Sequence, residues 1–173
     1  MDKKKNKIGL LGGSFDPAHD GHLAISKEAL KKLNLKKVIW AITKKNPLKK
    51  KSITNFSNRI KKCKKFAEKK KFIKVKFYEN IIKSNKTIDL INYLTKKKND
   101  EIFFLMGADN LINFHKWHKW EKISQKCKII VFDRHGYKKK SLNSIAFKRL
   151  NNKNLKFIEF NKVNISSSKL RKI

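Results

Sequence analysis

The chain has 173 residues and a formal net charge of +33, and hydrophobic residues make up 39% of it. This length suits one domain around one core, over residues 1–173. No run of 18 apolar residues exists, so we expect no membrane span, and residues 1–7 lack the apolar stretch of a signal peptide. The two cysteines are far apart, so we expect neither a disulfide framework nor a zinc ribbon. These features together predict a cytoplasmic protein.

The basic excess consists almost entirely of lysine. Of the 46 basic residues, 42 are lysine and four are arginine. Lysine, asparagine and isoleucine, all encoded by A/T-rich codons, are abundant together, and a dedicated nucleic-acid binder uses more arginine because its planar fork pairs with phosphate. We therefore interpret the charge as a solvated surface that favours anionic substrates such as nucleotides, with no specific nucleic-acid partner.

Apolar patterning predicts alternating strands and helices. It indicates strands at 8–11, 38–42, 102–106 and 128–132, a half-exposed strand at 72–77 and an edge-like strand at 155–160. Between the first strands it indicates a helical stripe at 23–33, a helix face at 60–67 capped by Asn55 or Ser57, and a helix over 88–94 begun by Thr87. The predicted fold is α/β, a Rossmann-like parallel sheet of five to six strands with helices on both faces.

The stretch from Gly12 to His22 stands out chemically. It follows the first predicted strand and opens the first helix, and it holds three of the six glycines in the chain. Gly12 and Gly13 allow a phosphate to approach the backbone, and a helix start offers free N–H groups to an anion. His19 and His22, one helical turn apart, lie on the same side and can donate to one phosphoryl group. The segment fits neither a P-loop nor the dinucleotide-binding glycine pattern.

Two separated segments together resemble a nucleotidyltransferase signature. Gly13-Ser14-Phe15-Asp16-Pro17 followed by His19-Asp20-Gly21-His22 resembles the paired-histidine motif of that superfamily, and Ser166-Ser167-Ser168-Lys169-Leu170-Arg171 resembles its C-terminal motif. Members transfer a nucleotidyl group to a phosphate acceptor and release pyrophosphate.

The middle of the chain resembles one family within that superfamily. Gly107-Ala108-Asp109-Asn110-Leu111, with Trp117 ten residues after the glycine, is similar to a segment of the bacterial nicotinate-nucleotide adenylyltransferases. The stretches 40–49, 86–89 and 132–137 are similar to the same family, so the resemblance runs in order from about Lys7 to Arg171. It implies synthesis of nicotinate adenine dinucleotide from ATP and nicotinate mononucleotide, a step of NAD biosynthesis.

The resemblance implies a role for each matching residue. Catalysis would rest on His19 and His22, with Mg²⁺ bound to the ATP phosphates and no metal ligand from the protein. The ATP contacts would be Gly12, Gly13, Ser14, Phe15, His19, Gly21, His22, Ser166, Ser167, Ser168 and Arg171. The acceptor contacts would be Asp16, Lys49, Thr87, Gly107, Asp109, Trp117 and His118, with Trp117 stacked on the pyridine ring.

Several of these residues also have a structural interpretation. Asp109 and Thr87 would each cap a helix, and Arg59 would be a salt-bridge partner. Trp120 is expected in the core, and His115 and His135 on the surface.

Two other functions stay open at this point. Phosphopantetheine adenylyltransferase, of the same superfamily, shares the loop Asn46-Pro47-x-Lys49, Arg59 and the serine run. A non-catalytic basic nucleic-acid-binding protein would explain the charge but not the two phosphate motifs. The sequence gives no indication of the oligomeric state.

Overall fold

The computed structural model of the chain describes residues 4–46, 54–98 and 100–160. Lys49, Ser166, Ser167, Ser168 and Arg171, which the sequence places in the site, lie outside this described part.

Six strands form one parallel sheet. They are β1 (Lys7–Gly13), β2 (Lys37–Ile42), β3 (Ile73–Lys76), β4 (Glu101–Gly107), β5 (Lys128–Phe132) and β6 (Leu155–Ile158), in the order β3-β2-β1-β4-β5-β6. Every neighbouring pair is parallel, with Leu10 opposite Ile39 on one side and Phe104 on the other. The predicted strands and the edge position of the last one are confirmed.

Helices of very different lengths connect the strands. The longer ones are α1 (Asp20–Lys32), α2 (Phe56–Ala67) and α4 (Thr87–Lys98). The shorter ones are α3 (Glu79–Ile82), α5 (Ala108–Leu111), α6 (Trp120–Lys126), α7 (Lys138–Leu142) and α8 (Ile145–Leu150), with a 3₁₀ helix at Phe114–Lys116. None of the helices in the described part is long and apolar enough to span a membrane.

The sheet is buried on both faces because its side chains alternate. Leu10, Ile39 and Phe104 belong to one apolar cluster, which also takes in the inner residues of α4, α6 and α8. Leu11, Trp40 and Leu105, one position along each strand, belong to a second cluster with residues of α1 and α2. Helices therefore cover both faces, as predicted, and nearly continuous apolar strands are typical of such a doubly covered parallel sheet.

The strand order reverses at the centre of the sheet. The chain runs outward from β1 through β2 to β3 and then returns to β4 on the other side of β1. In open α/β sheets, ligands bind beyond the carboxyl ends of the strands at such a switch point. The carboxyl ends of β1 and β4 are Gly13 and Gly107, so the two glycine segments singled out in the sequence lie at this crevice.

The start of α2 agrees with the prediction from the sequence, and the start of α4 differs from it by one residue. Asn55 caps α2, because its side chain accepts a hydrogen bond from the Ser57 N–H at 2.9 Å. Thr87 is the first residue of α4 and not its N-cap; the carbonyl of Lys86 accepts the first helical hydrogen bond, from Leu90 N–H. The capping interpretation of Thr87 is therefore wrong, and its hydroxyl is not committed to that role.

Candidate active site

The last two residues of β1, Gly12 and Gly13, differ in the space beside them. A Cβ atom at Gly12 would meet no other atom within 4 Å, whereas the space beside Gly13 is bounded by the ring of Phe15. Backbone with nothing above it can approach a phosphate closely. Phe15 itself is 2% exposed, so its side chain belongs to the core and only its backbone is available to a ligand.

Two histidines cap the start of α1 reciprocally. Nδ1 of His19 accepts a hydrogen bond from Gly21 N–H at 3.0 Å, and Nδ1 of His22 accepts one from the backbone N–H of His19 at 3.2 Å. This is the geometry of a capping box, with imidazole rings in place of the usual hydroxyl and carboxylate. The same bonds that begin the helix therefore fix the orientation of both rings.

The caps also set the tautomer of the two rings. A neutral imidazole that accepts at Nδ1 carries its proton on Nε2. The ring centroids of His19 and His22 are 3.8 Å apart, with 34° between the ring planes. Their Nε2–H groups are therefore within reach of one phosphoryl group, beside the positive end of the helix dipole.

The ring of His22 packs against a buried aromatic stack. The Phe15 ring lies 4.7 Å from the ring of His22 and stacks at 5.1 Å on Trp40. Trp40 Nε1–H donates to Ser26 Oγ at 2.8 Å, and that hydroxyl donates to the carbonyl of His22, also at 2.8 Å. A ring held between packed aromatics and a hydrogen-bonded backbone has little freedom to rotate.

Electrostatics keep His19 neutral. Burial, and to a smaller extent the positive charge of Arg134, lower the pKa of His19 from 6.5 to about 4, with Asp20 opposing the shift. The ring is thus an uncharged donor at neutral pH. Because the unfolded chain binds this proton near pH 6.5, the contribution of His19 to stability is complete above that pH and is lost as the pH falls toward 4.

A carboxylate and a guanidinium pair across the switch point. Asp109 Oδ2 accepts from Arg134 Nη1 at 2.5 Å, and both side chains are partly exposed. A Cβ at Gly107 would come within 2.5 Å of Asp109 Oδ1, so only glycine permits this position of the carboxylate. Gly107 and not Asp109 is the N-cap of α5, and the capping interpretation of Asp109 is therefore wrong.

A cavity of about 430 Å³ lies next to Gly12 and Gly13, on the α4 side of the sheet. Its walls bring together five residues that the sequence assigned to the site, and this size is within the range of pockets for mononucleotide-sized ligands. These five are Gly12, Gly13, Thr87, Trp117 and His118. Trp117 is half-buried, with its ring 5.9 Å from that of Phe104, and His118 is exposed at the rim.

Two residues that the sequence predicts as ligand contacts, Asp16 and Ser14, accept hydrogen bonds from other parts of the chain. Asp16 is 2% exposed, and its carboxylate accepts from Thr54 N–H at 3.3 Å. The carbonyl of Ser14 accepts from Arg59 Nη1 at 2.8 Å. Both residues therefore tie the loop after β1 to the first part of α2 and the residues just before it.

Other sequence expectations divide between confirmation and correction. Trp120 packs against the apolar core, as expected, and His135 is exposed. His115 is half-buried, and its Nδ1 is enclosed with no hydrogen-bond partner in the described part of the chain. Arg59 binds backbone carbonyl groups at short range, not the side-chain carboxylate partner that the salt-bridge interpretation expected.

Sequence reasoning left Arg134 out of the site. It follows β5, the neighbour of β4, so the parallel topology brings it next to Asp109. The available signal was its place just beyond a predicted strand, since polar residues there share the carboxyl edge of the sheet.

Comparison with known proteins identifies similar sequences. The model of the cytidylyltransferase-like family matches residues 10–173. A Pelagibacter ubique (strain HTCC1062) protein named a probable nicotinate-nucleotide adenylyltransferase is 64% identical over all of this chain and 96% of its own length. A Bradyrhizobium sp. (strain ORS 278) protein of the same name is 40% identical, over 83% of this chain and 76% of its own.

A solved structure has the same fold. Plasmodium falciparum nicotinic acid mononucleotide adenylyltransferase, complexed with NaAD, superposes with a TM-score of 0.77 at 22% identity, over 96% of this chain and 83% of that one.

Proposed function

The chain belongs to the family of nicotinate-nucleotide adenylyltransferases, and we infer that it joins ATP and nicotinate mononucleotide into nicotinate adenine dinucleotide and pyrophosphate. One observation carries the mechanism: two imidazoles, locked as Nε2–H donors, stand at the end of β1 where a cavity reaches Gly12 and Gly13.

The cavity suits the acceptor nucleotide. Trp117 offers an aromatic face for the pyridine ring, and the N-terminal residue of α4, Thr87, lies on the same wall. Lys86 and Lys116 also line the cavity, and Glu79 is the acidic residue among its described lining. This balance of charge favours a ring with a carboxylate over one with a neutral amide. His118 and Thr87 are proposed to meet that carboxylate.

The start of α1 suits ATP. The Nε2–H groups of His19 and His22 would donate to the α-phosphate, and the start of α1 adds a favourable dipole. Asp109 is proposed to receive a ribose hydroxyl, with Arg134 fixing its carboxylate. Lys49 is proposed to approach the acceptor phosphate, and Ser166, Ser167, Ser168 and Arg171 to hold the β- and γ-phosphates.

Mg²⁺ is proposed to enter bound to the ATP phosphates. Among the described residues, no group of three histidine, cysteine or acidic side chains is arranged to hold a metal, and Asp109 is engaged with Arg134. Phosphate oxygens and water are ligands that Mg²⁺ accepts readily. When bound there, the ion supplies positive charge to the leaving pyrophosphate.

The reaction then needs no protein nucleophile. An oxygen of the acceptor 5′-phosphate attacks the α-phosphorus, a new P–O bond forms, and the bond between that phosphorus and the β-phosphate oxygen breaks. His19 and His22 would donate more strongly as negative charge grows on the α-phosphate oxygens in the transition state. Positioning and charge stabilisation of this kind account for most catalysis of phosphoryl transfer.

Titration of His19 tests where ATP binds. In the free protein, NMR of the ring is expected to give a midpoint of about 4, because burial disfavours the charged form. Adding ATP with Mg²⁺ is expected to raise that midpoint, since phosphate oxygens beside the ring favour imidazolium. The exposed His135 provides the reference for non-specific effects. A His19 midpoint that moves no more than that of His135 would contradict the proposed phosphate contact.

A further inference from the structure

The dipeptide Thr43–Lys44, just after β2, has all its backbone polar groups bound. Thr43 N–H donates to the carbonyl of Gly13 at 2.9 Å. Arg59 donates from Nη1 to the carbonyl of Thr43 at 3.0 Å and from Nη2 to that of Lys44 at 2.8 Å. Glu79 Oε1 accepts from Thr43 Oγ1 at 2.6 Å and from Lys44 N–H at 3.3 Å.

Arg59 and Glu79, which we call the Thr43 clamp, each reach beyond the dipeptide. Nη1 of Arg59 also donates to the carbonyl of Ser14 at 2.8 Å, in the loop that leads to the capping histidines. Glu79 lines the cavity proposed for the acceptor. The clamp therefore connects the ATP loop, the loop after β2 and the acceptor cavity.

Burial makes this arrangement more than a surface contact. Arg59 is 3% exposed and stacks 5.1 Å from the Phe56 ring. Burial lowers its pKa, and the carboxylates of Asp16 and Glu79 act in the opposite direction. A buried guanidinium is costly unless its hydrogen bonds are made; here Nη1 and Nη2 donate to three backbone carbonyls, and the buried Nε has no partner in the described part of the chain.

We propose that Arg59 and Glu79 are positioning residues that hold the ATP loop and the acceptor cavity in register through Thr43–Lys44. The proposal rests on the proposed function, since it concerns the alignment of the two nucleotides that the function assigns. Arg59 would fix the loop before His19, and Glu79 would fix the cavity wall, so the two side chains act on the same loop from opposite sides.

Steady-state kinetics of Arg59→Lys, Glu79→Gln and the double variant test this. Lysine keeps the charge but lacks the planar fork that reaches several carbonyls, and glutamine keeps the shape without the charge. The matched control is Glu121→Gln, which removes the charge of Glu121 from its exposed ion pair with Arg149. We measure kcat, both KM values, the folded fraction and the melting temperature.

Misalignment of reacting groups by about 1 Å costs on the order of 100-fold, so each single variant is expected to lower kcat/KM by roughly 10- to 100-fold. Arg59→Lys is expected to raise the KM for ATP, and Glu79→Gln the KM for nicotinate mononucleotide. Because both act through one dipeptide, the double variant is expected to fall short of the product of the two effects. The control is expected to match the wild type.

A merely structural role would scale kcat with the folded fraction and leave both KM values unchanged. That result, or effects that multiply in the double variant, would overturn the proposal. If Arg59→Lys does not fold, Thr43→Val removes the hydroxyl that donates to Glu79 and also lies 3.3 Å from the carbonyl of Lys45, and an unchanged KM for the acceptor would overturn the proposal equally. A folded wild type that fails to make the dinucleotide would instead overturn the proposed function, and the proposal with it.

Discussion

The His19→Ala variant is expected to lose adenylyl transfer by about 100- to 1,000-fold in kcat, the usual effect of removing one preorganised donor to a charge that develops in the transition state. Alanine removes the Nε2–H donor and also the Nδ1 acceptor for Gly21 N–H. Loss of an N-cap alone costs about 1 kcal/mol of stability, far less than the effect expected on the rate. Single-turnover formation of the dinucleotide measures it.

A second substitution separates the two roles of His19. Asparagine is a good N-cap, so His19→Asn is expected to restore the melting temperature and not the rate. Binding of a polyanion, followed by fluorescence anisotropy across salt concentrations, is expected to be unchanged in both variants, because it depends on surface lysines. If His19→Ala retained wild-type kcat, the catalytic role assigned to His19 would be wrong.

The Trp40→Ala variant is expected to lose about 3–5 kcal/mol of unfolding free energy, the range for truncating a buried aromatic side chain. Trp40 is fully buried, stacks on Phe15 and Phe66, and donates to Ser26 Oγ. The variant thus leaves a cavity under His22 and a weakened hydrogen-bond chain. At about 2–4 °C per kcal/mol for a chain of this size, the melting temperature is expected to fall by roughly 6–20 °C.

Trp120→Ala is the matched control, because Trp120 is only partly buried at the edge of the other cluster. Trp120→Ala is expected to lower the free energy of unfolding clearly less than Trp40→Ala does. Trp40→Phe keeps an aromatic ring and removes the N–H, so its loss of unfolding free energy is expected to fall between those of Trp120→Ala and Trp40→Ala. A smaller loss for Trp40→Ala than for Trp120→Ala, in denaturant unfolding, would contradict the packing that we describe under the histidines.

The sheet was predictable from the sequence because its four inner strands are short and almost wholly apolar, and helical stripes separate the first four strands along the chain. Runs such as 102–106 have few alternatives in a chain so rich in lysine. The short helices α3, α5, α6, α7 and α8 were not predicted, since four to seven residues give too little periodicity to distinguish a helix from a turn. One-residue shifts such as that at Thr87 are the normal uncertainty of helix starts.

The site was predictable where its chemistry is local and was missed where it depends on topology. Gly12 to His22 is one continuous segment, so its composition alone indicated phosphate binding. Arg134 reaches Asp109 only because β5 lies beside β4. The capping bonds between His19 and His22 depend on ring orientation, which no spacing rule provides. The carbonyl contacts of Arg59 likewise join residues that are 15 to 45 positions apart.

Substrate preference is the most direct test of the central claim. Pyrophosphate release is measured with ATP and Mg²⁺ and with nicotinate mononucleotide, nicotinamide mononucleotide and phosphopantetheine offered in parallel. We expect a strong preference for nicotinate mononucleotide, because the cavity at Thr87, Trp117 and His118 is lined by Lys86 and Lys116. Equal or greater activity with nicotinamide mononucleotide would contradict the assignment of the carboxylate, and activity with phosphopantetheine alone would contradict the assignment of the cavity itself.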